Sequence, residues 1–352
     1  MPSAADCSLR TSQRQAGPGQ RAASRSLTMT VAVACAAALG VLASLFIGAG
    51  MLDPATAVDA LIHPGSGTAE SVIMENRLRR TVTGSAVGAA LACAGAAMQG
   101  VTRNPLGDPG ILGINAGSIC AVVVGLSFFG VTSMAALGAW AMLGAGVAAV
   151  LVYAIASIGW GGPTPLKLAL VGAALAAGVT SLTSALILQG QETLDTMRRW
   201  QIGSLGRAGY DDLLTLAPLL AVGLLLTVGL SSSINAFALG DDMARALGER
   251  VALKRGLIFF GVTALSAASV ALAGPIAFLG LMVPHALRSL FGPDYRWLLP
   301  LCLLAGPTVL LLADVIGRVI LPPSEVDVGV TMAVVGVPVF IALIRSKEAM
   351  DL

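Results

Sequence analysis

Residues Leu213–Leu230, LLTLAPLLAVGLLLTVGL, contain no charge and do not alternate apolar with polar positions. A strand of a membrane barrel alternates with period two, so this run reads as a helix, and about 20 such residues span the hydrocarbon core of a bilayer. The pattern repeats in both directions from it. Apolar runs fall at about 27–50, 80–101, 110–130, 133–158, 167–189, 211–231, 255–273, 276–291, 297–320 and 328–345. The chain is 56% hydrophobic and 11% charged, with a mean hydropathy of +0.85, whereas soluble domains carry roughly 25% charge. The expected fold is therefore an all-α membrane protein of about ten transmembrane helices, and 352 residues leave no room for a separate soluble domain. Its 42 glycines, many beside Ala or Ser, suit close helix packing.

Residues 1–27 carry Arg10, Arg14, Arg21 and Arg25 with Asp6 as the only acid, and read as a polar cytoplasmic tail. The run that follows is long enough to span and ends in no A-x-A site, which favours an uncleaved first helix over a signal peptide. Residues 28–347 form the ten-helix domain, with a loop of short helical pieces at 51–76 and a cytoplasmic tail at 348–352. With the N-terminus inside, ten spans return the C-terminus to the cytoplasm. That choice places 14 of the 21 lysines and arginines inside. Those left outside are Arg77, Arg79, Arg80, Arg198, Arg199, Arg207 and Arg318, which come in tight groups.

One inside stretch, Ala238–Arg255 (ALGDDMARALGERVALKR), packs seven charges into eighteen residues. Asp241 as N-cap, Asp242 in the first turn, Arg245 near the C-terminal end and Gly248 at C′ describe a short helix. Met243, Leu247 and Val251 recur at four-residue spacing along one edge, so this element lies on the membrane surface with an apolar edge for a partner. A solvated loop between two spans is the plain alternative.

The five cysteines, Cys7, Cys35, Cys93, Cys120 and Cys302, show no CxxC spacing and read as small core residues. With only His63 and His285 and no HExxH, protein ligands for a metal are scarce, and no metal site, catalytic residue or bound cofactor is expected. A formal charge of +2 offers no basis for nucleic-acid binding. Two stretches, NPLGDPGILGINAGS and GPIAFLGLMVPHALR, break apolar runs with Gly and Pro at comparable places, which points to two related halves inserted in opposite senses.

Four segments in order, RLRRTVTGSAVGAALACAGAAMQGVTRNPLGDPGILGINAGS from Arg77, ALGDDMARALG, GPIAFLGLMVPHALR and LLLADVIGRVILPPSEVDVGVTMAVVGVPVFIALIR, resemble the permeases of binding-protein-dependent ABC importers for ferric siderophores, haem and cobalamin. The resemblance covers about residues 30–347. It implies one subunit of a permease pair, homodimer or heterodimer, in the inner or cytoplasmic membrane, driven by two ATPase subunits that hold ATP-Mg. An extracytoplasmic binding protein delivers the cargo. The chain has no G-x-x-x-x-G-K-[ST], in keeping with hydrolysis by another subunit.

Residue by residue, the resemblance implies that Leu239, Gly240, Asp241, Met243, Ala244, Leu247 and Gly248 form the coupling element in a cleft of the ATPase. Asn104 and Leu106 match gate residues of cobalamin permeases, although on local chemistry Pro105 ends a helix and Asn104 caps the turn. In the second gate loop, GGPTPLK, Pro165 and Leu166 replace hydroxyl residues common in relatives, leaving Thr164. Thr180 and Ser184, at i and i+4, are expected to line the pathway. Arg77, Arg80 and Arg318 match arginines that meet acidic residues of the binding protein; membrane anchoring and an Arg318–Asp314 pair are the structural alternatives. Arg79 replaces a usual Pro. His285 is expected to be a packed structural histidine. The leading functional expectation is ATP-driven import of a ferric siderophore by alternating access, with cobalamin or haem as the alternative cargo. An ion-coupled secondary transporter would need midplane carboxylates, and only Asp314 comes near.

Overall fold

A computed structural model describes residues 18–48, 53–63, 65, 67–159, 163–188, 191–322 and 324–348. Its helices are α1 (Pro18–Phe46), α2 (Pro54–Ile62), α3 (Ala69–Thr102), α4 (Ile114–Phe129), α5 (Met134–Ser157), α6 (Pro165–Ile187), α7 (Gln191–Gln201), α8 (Tyr210–Gly229), α9 (Ser231–Ala238), α10 (Asp241–Ala246), α11 (Val251–Ala273), α12 (Leu279–Phe291), α13 (Tyr295–Val319) and α14 (Val328–Glu348). The ten runs read from hydropathy correspond to α1, α3, α4, α5, α6, α8, α11, α12, α13 and α14. Seven of these are long and apolar enough to cross a membrane, and α4 and α14 are shorter apolar helices.

Boundaries moved where charged or polar residues continue a helix beyond its apolar run. Helix α1 begins at Pro18, inside the stretch read as a polar tail, while residues 1–17 and 349–352 lie outside the described residues. Helix α3 begins at Ala69, capped by Thr68 Oγ1 on the Ser71 N–H, and carries Glu70 in its first turn and Arg77, Arg79 and Arg80 in its third and fourth. The short helices α7 and α9 had no hydropathy signal. Helix α7 is amphipathic and buries Met197 and Trp200 while Arg198 faces out.

Helix α3 is the spine, and glycines let its neighbours close on it. A Cβ on Gly95 would sit 2.0 Å from the Gly280 carbonyl oxygen of α12, and one on Gly306 of α13 would sit 2.2 Å from the Gly88 carbonyl oxygen. On the far side α4 and α5 meet in the same way, with a Cβ on Gly144 only 2.2 Å from the Gly117 carbonyl oxygen. Small-residue contacts of this kind trade hydrophobic bulk for close backbone approach, as association within lipid requires.

The two Gly/Pro breaks meet inside the molecule. A 3-10 turn, Pro109–Leu112, is capped by Asp108 Oδ1 on the Gly110 N–H at 2.7 Å, and Gly280 lies against the same carboxylate. Helix α12 has 13 residues, about 20 Å, which falls short of a bilayer core of about 30 Å. The non-helical Gly274–Phe278 segment completes the passage, with Gly274 and Ile276 buried in protein, where irregular backbone is tolerated. His285 is buried, edge-on to Phe340. Cys93 and Cys302 are buried as expected, but Cys35 faces outwards on the uncovered side of α1.

Candidate functional site

Helix α3 carries an arginine cluster near each end. At its N-terminal end, Arg77 donates to the Leu45 and Phe46 carbonyls at 3.2 and 3.1 Å, satisfying the last turn of α1. Arg80 donates to Asp314 Oδ1 at 2.8 Å and pairs with Glu325. On α13, Arg318 Nε faces Asp314 Oδ2 at 3.0 Å, and its guanidinium also donates to the Ser44 carbonyl and hydroxyl. Asp314 is 0% exposed, Arg318 1% and Arg77 4%. Arg79 donates to Asn76 and to the Gly206 carbonyl. These arginines, Gly48 and Glu325 surround a cavity of about 280 Å³. Arg77 and Arg318 therefore lie within the protein, and Arg318 makes the i, i+4 pair read from the sequence.

At the other end, α3 closes on Arg103, whose φ of 54° is a left-handed C-cap, and the chain turns through Asn104. Asn104 Oδ1 accepts from the Leu106 N–H at 2.9 Å, and the Leu106 side chain is exposed. Helix α10 lies beside this turn. Gly240, with φ of 108°, is its N-cap rather than Asp241, because the Asp241 carboxylate is held by Arg255 Nη2 at 2.6 Å and Arg103 Nη2 at 3.3 Å. Partial burial works to raise the Asp241 pKa, but Arg255, Arg103 and Arg245 outweigh it and the net shift is downward. The apolar edge also divides. Met243 (52% exposed) and Leu247 (62%) face outwards with Leu239, Ala244 is buried beneath them, and Val251 belongs to the core at the start of α11. Gly248 adopts φ of 83°, the left-handed C′ position expected of it.

A model of the FecCD transport family matches residues 36–346. The chain belongs to the FecCD transport family. It is 44% identical to the ferric enterobactin transport system permease protein FepD of Escherichia coli (strain K12) over 86% of this chain and 91% of that one. It is 36% identical to the iron(3+)-hydroxamate import system permease protein FhuB of Bacillus subtilis (strain 168), over 92% and 84% of the two chains. Among solved structures it resembles a metal-chelate type ABC transporter in an inward-facing conformation, at a TM-score of 0.79 and 29% identity, covering 91% of this chain and 99% of that one. FecCD chains are transport subunits of ABC systems, and this one is a multi-pass membrane permease.

Within this FecCD chain, α6 carries the expected hydroxyl pair on an uncovered face. Thr180 and Ser184 are both exposed, with the Ser184 hydroxyl donating to the Thr180 carbonyl at 2.9 Å, while Thr183 is buried and bonds to Val179. Thr164 caps α6 through the Lys167 N–H at 3.4 Å. Sequence reading missed Arg103 and Arg255 as partners of Asp241 and Glu325 as a partner of Arg80. No local spacing signals these contacts, since each joins separate helices or loops.

Proposed function

We propose that this chain is one subunit of a permease pair in the inner or cytoplasmic membrane, importing a ferric siderophore by alternating access. The relatives named for ferric enterobactin and iron(3+)-hydroxamate carry the reading of the cargo. Two ATPase subunits would hold ATP-Mg and seat on the edge formed by Leu239, Gly240, Asp241, Met243, Ala244, Leu247 and Gly248. In support, Met243 and Leu247 are apolar, adjacent and exposed beside a charged helix. The pathway would run along Thr180 and Ser184 of α6, whose side chains lie on a face of the helix left uncovered within this chain and open to a wet path or a second permease. Asn104 and Leu106 would close it on the cytoplasmic side.

In this reading both termini and α10 face the cytoplasm, and the Arg77–Arg80 end faces the binding protein. Of the three arginines expected to dock, Arg77 and Arg318 are buried, which leaves Arg80, whose side chain is 13% exposed and paired with Glu325. The class is tested by uptake of ⁵⁵Fe-loaded enterobactin into cells with and without the chain. Loss of uptake on deletion, restored by the wild type and not by Met243→Asp with Leu247→Asp, supports it. Unchanged uptake on deletion, or full activity of the double variant with its ATPase still attached, overturns it. Orientation is tested separately: in a cysteine-free background, Arg198→Cys should react with an impermeant thiol reagent on intact cells and Arg245→Cys should not.

A further inference from the structure

Three elements that hydropathy treats as unrelated meet at one carboxylate. Asp241 opens α10, and its Oδ1 accepts from Arg103, the last residue before the Asn104–Leu106 turn, and from Arg255 in the second turn of α11. Arg255 is buried, its side chain 5% exposed, with Phe237 of α9 beneath its guanidinium at 5.5 Å from the ring centre. Its other arm donates to the Pro163 carbonyl at 3.3 Å, immediately before the Thr164 cap of α6. Glycine at 240 suits the backbone there, since its φ of 108° disfavours a side chain, whereas a Cβ would make only ordinary contact with Arg103 Nη1 at 3.5 Å.

We propose that Asp241 is a positioning residue that makes α10, the Asn104–Leu106 turn and the N-terminus of α6 move as one body. One oxygen shared by two guanidiniums fixes both arginines. If α10 shifts, Arg103 draws the turn with it and Arg255 draws the start of α6. Met243 and Leu247 point away from this junction, so seating a partner on the apolar edge and transmitting its movement are separate tasks assigned to different faces of a six-residue helix. Glu249 does not compete for these arginines, because it pairs with Lys254 and accepts from Ser233. The inference rests on the proposed seating of an ATPase on α10.

The test uses the complete complex of permease, ATPase and binding protein in proteoliposomes. Two readouts serve: ferric enterobactin imported per ATP hydrolysed, and the distance between spin labels at Leu106 and Arg245 through the nucleotide cycle. In the wild-type junction that distance should stay constant while the complex turns over. Arg103→Gln should keep the ATPase attached, and Arg103→Gln and Asp241→Asn should each lower import per ATP about tenfold and let the distance vary; the size lies within the roughly 5- to 150-fold usual for coupled sites. Combining the two should add little to either alone, because both cut the same link. Asp241→Glu should recover much of the lost import. Additive effects, no rescue by Glu, or a constant distance in Asp241→Asn would overturn the proposal. Should the wild type import no ferric chelate, the cargo assignment fails while the spin-label distance still decides the junction.

Discussion

The two clusters on α3 use the same chemistry, an aspartate between two arginines, in opposite surroundings. Arg80 and Thr102 are 22 residues apart on one helix, about 33 Å, which is close to the thickness of a bilayer core. At the Arg80 end, Asp314 and Arg318 are almost fully enclosed and the network ties α1, α3 and α13 together with the segment ahead of α14. At the Arg103 end, the side chains of Arg103 and Asp241 are 41% and 22% exposed, and an apolar edge lies open beside them. A buried pair is costly to leave half-broken, which at the open junction holds for Arg255, 5% exposed, while the Arg103 contact is screened by solvent. The first arrangement suits a fixed joint and the second a joint that takes part in motion.

The sharpest way to break this contrast is at Asp314. Asp314→Ala leaves Arg80 and Arg318 without their shared carboxylate and should cost about 3–5 kcal/mol in unfolding of the detergent-solubilised protein. A loss as small as that of Asp241→Asn would show that the enclosed cluster is no more rigid than the open one. Between the clusters, Gly95→Ala drives a methyl into the Gly280 carbonyl and should cost about 1–3 kcal/mol or more, seen as lower yield and melting temperature.

Asp241→Asn should lower stability by about 1–3 kcal/mol, less than Asp314→Ala, because solvent screens the half-exposed Arg103 contact and only Arg255 is left buried beside a neutral amide. The Asp241 pKa is depressed in the folded protein, so its contribution is complete above the unfolded value and is lost as pH falls through the folded value. The stability difference between wild type and Asp241→Asn should thus stay constant from about pH 8 to pH 5 and shrink only below about pH 4. A difference that faded between pH 8 and 6 would contradict this assignment. At the bottom of the scale, Arg245→Gln breaks an exposed pair with Asp242 and should leave the melting temperature unchanged within error.

A helix at each of the ten apolar runs was legible, seven of them long and apolar enough to cross a membrane, because lipid demands long uncharged runs. Short motifs marked the α10 segment, the hydroxyls of α6 and the Asn104 turn for the same reason: their residue types are out of place in an apolar chain. Helices α7 and α9 were not legible, being too short to span, α7 polar and α9 only eight residues long with half of them buried against neighbours.

The amino-acid sequence by itself determined that the chain is all-helical and membrane-embedded, which residues carry charge into it, and the family to which it belongs. Only the tertiary structure decided what those charges do. Arg77, open in the sequence to docking or anchoring, is buried against the last turn of α1; Arg318, open to docking or to a pair with Asp314, is buried with that pair made; and Asp241, read as a helix cap, became a junction once α3 and α11 brought Arg103 and Arg255 to it. A cap depends on neighbours three residues away and can be proposed from local order, but a carboxylate yields to whichever cation lies nearest in space. That distance is set by glycine-lined helix contacts far from it in the chain.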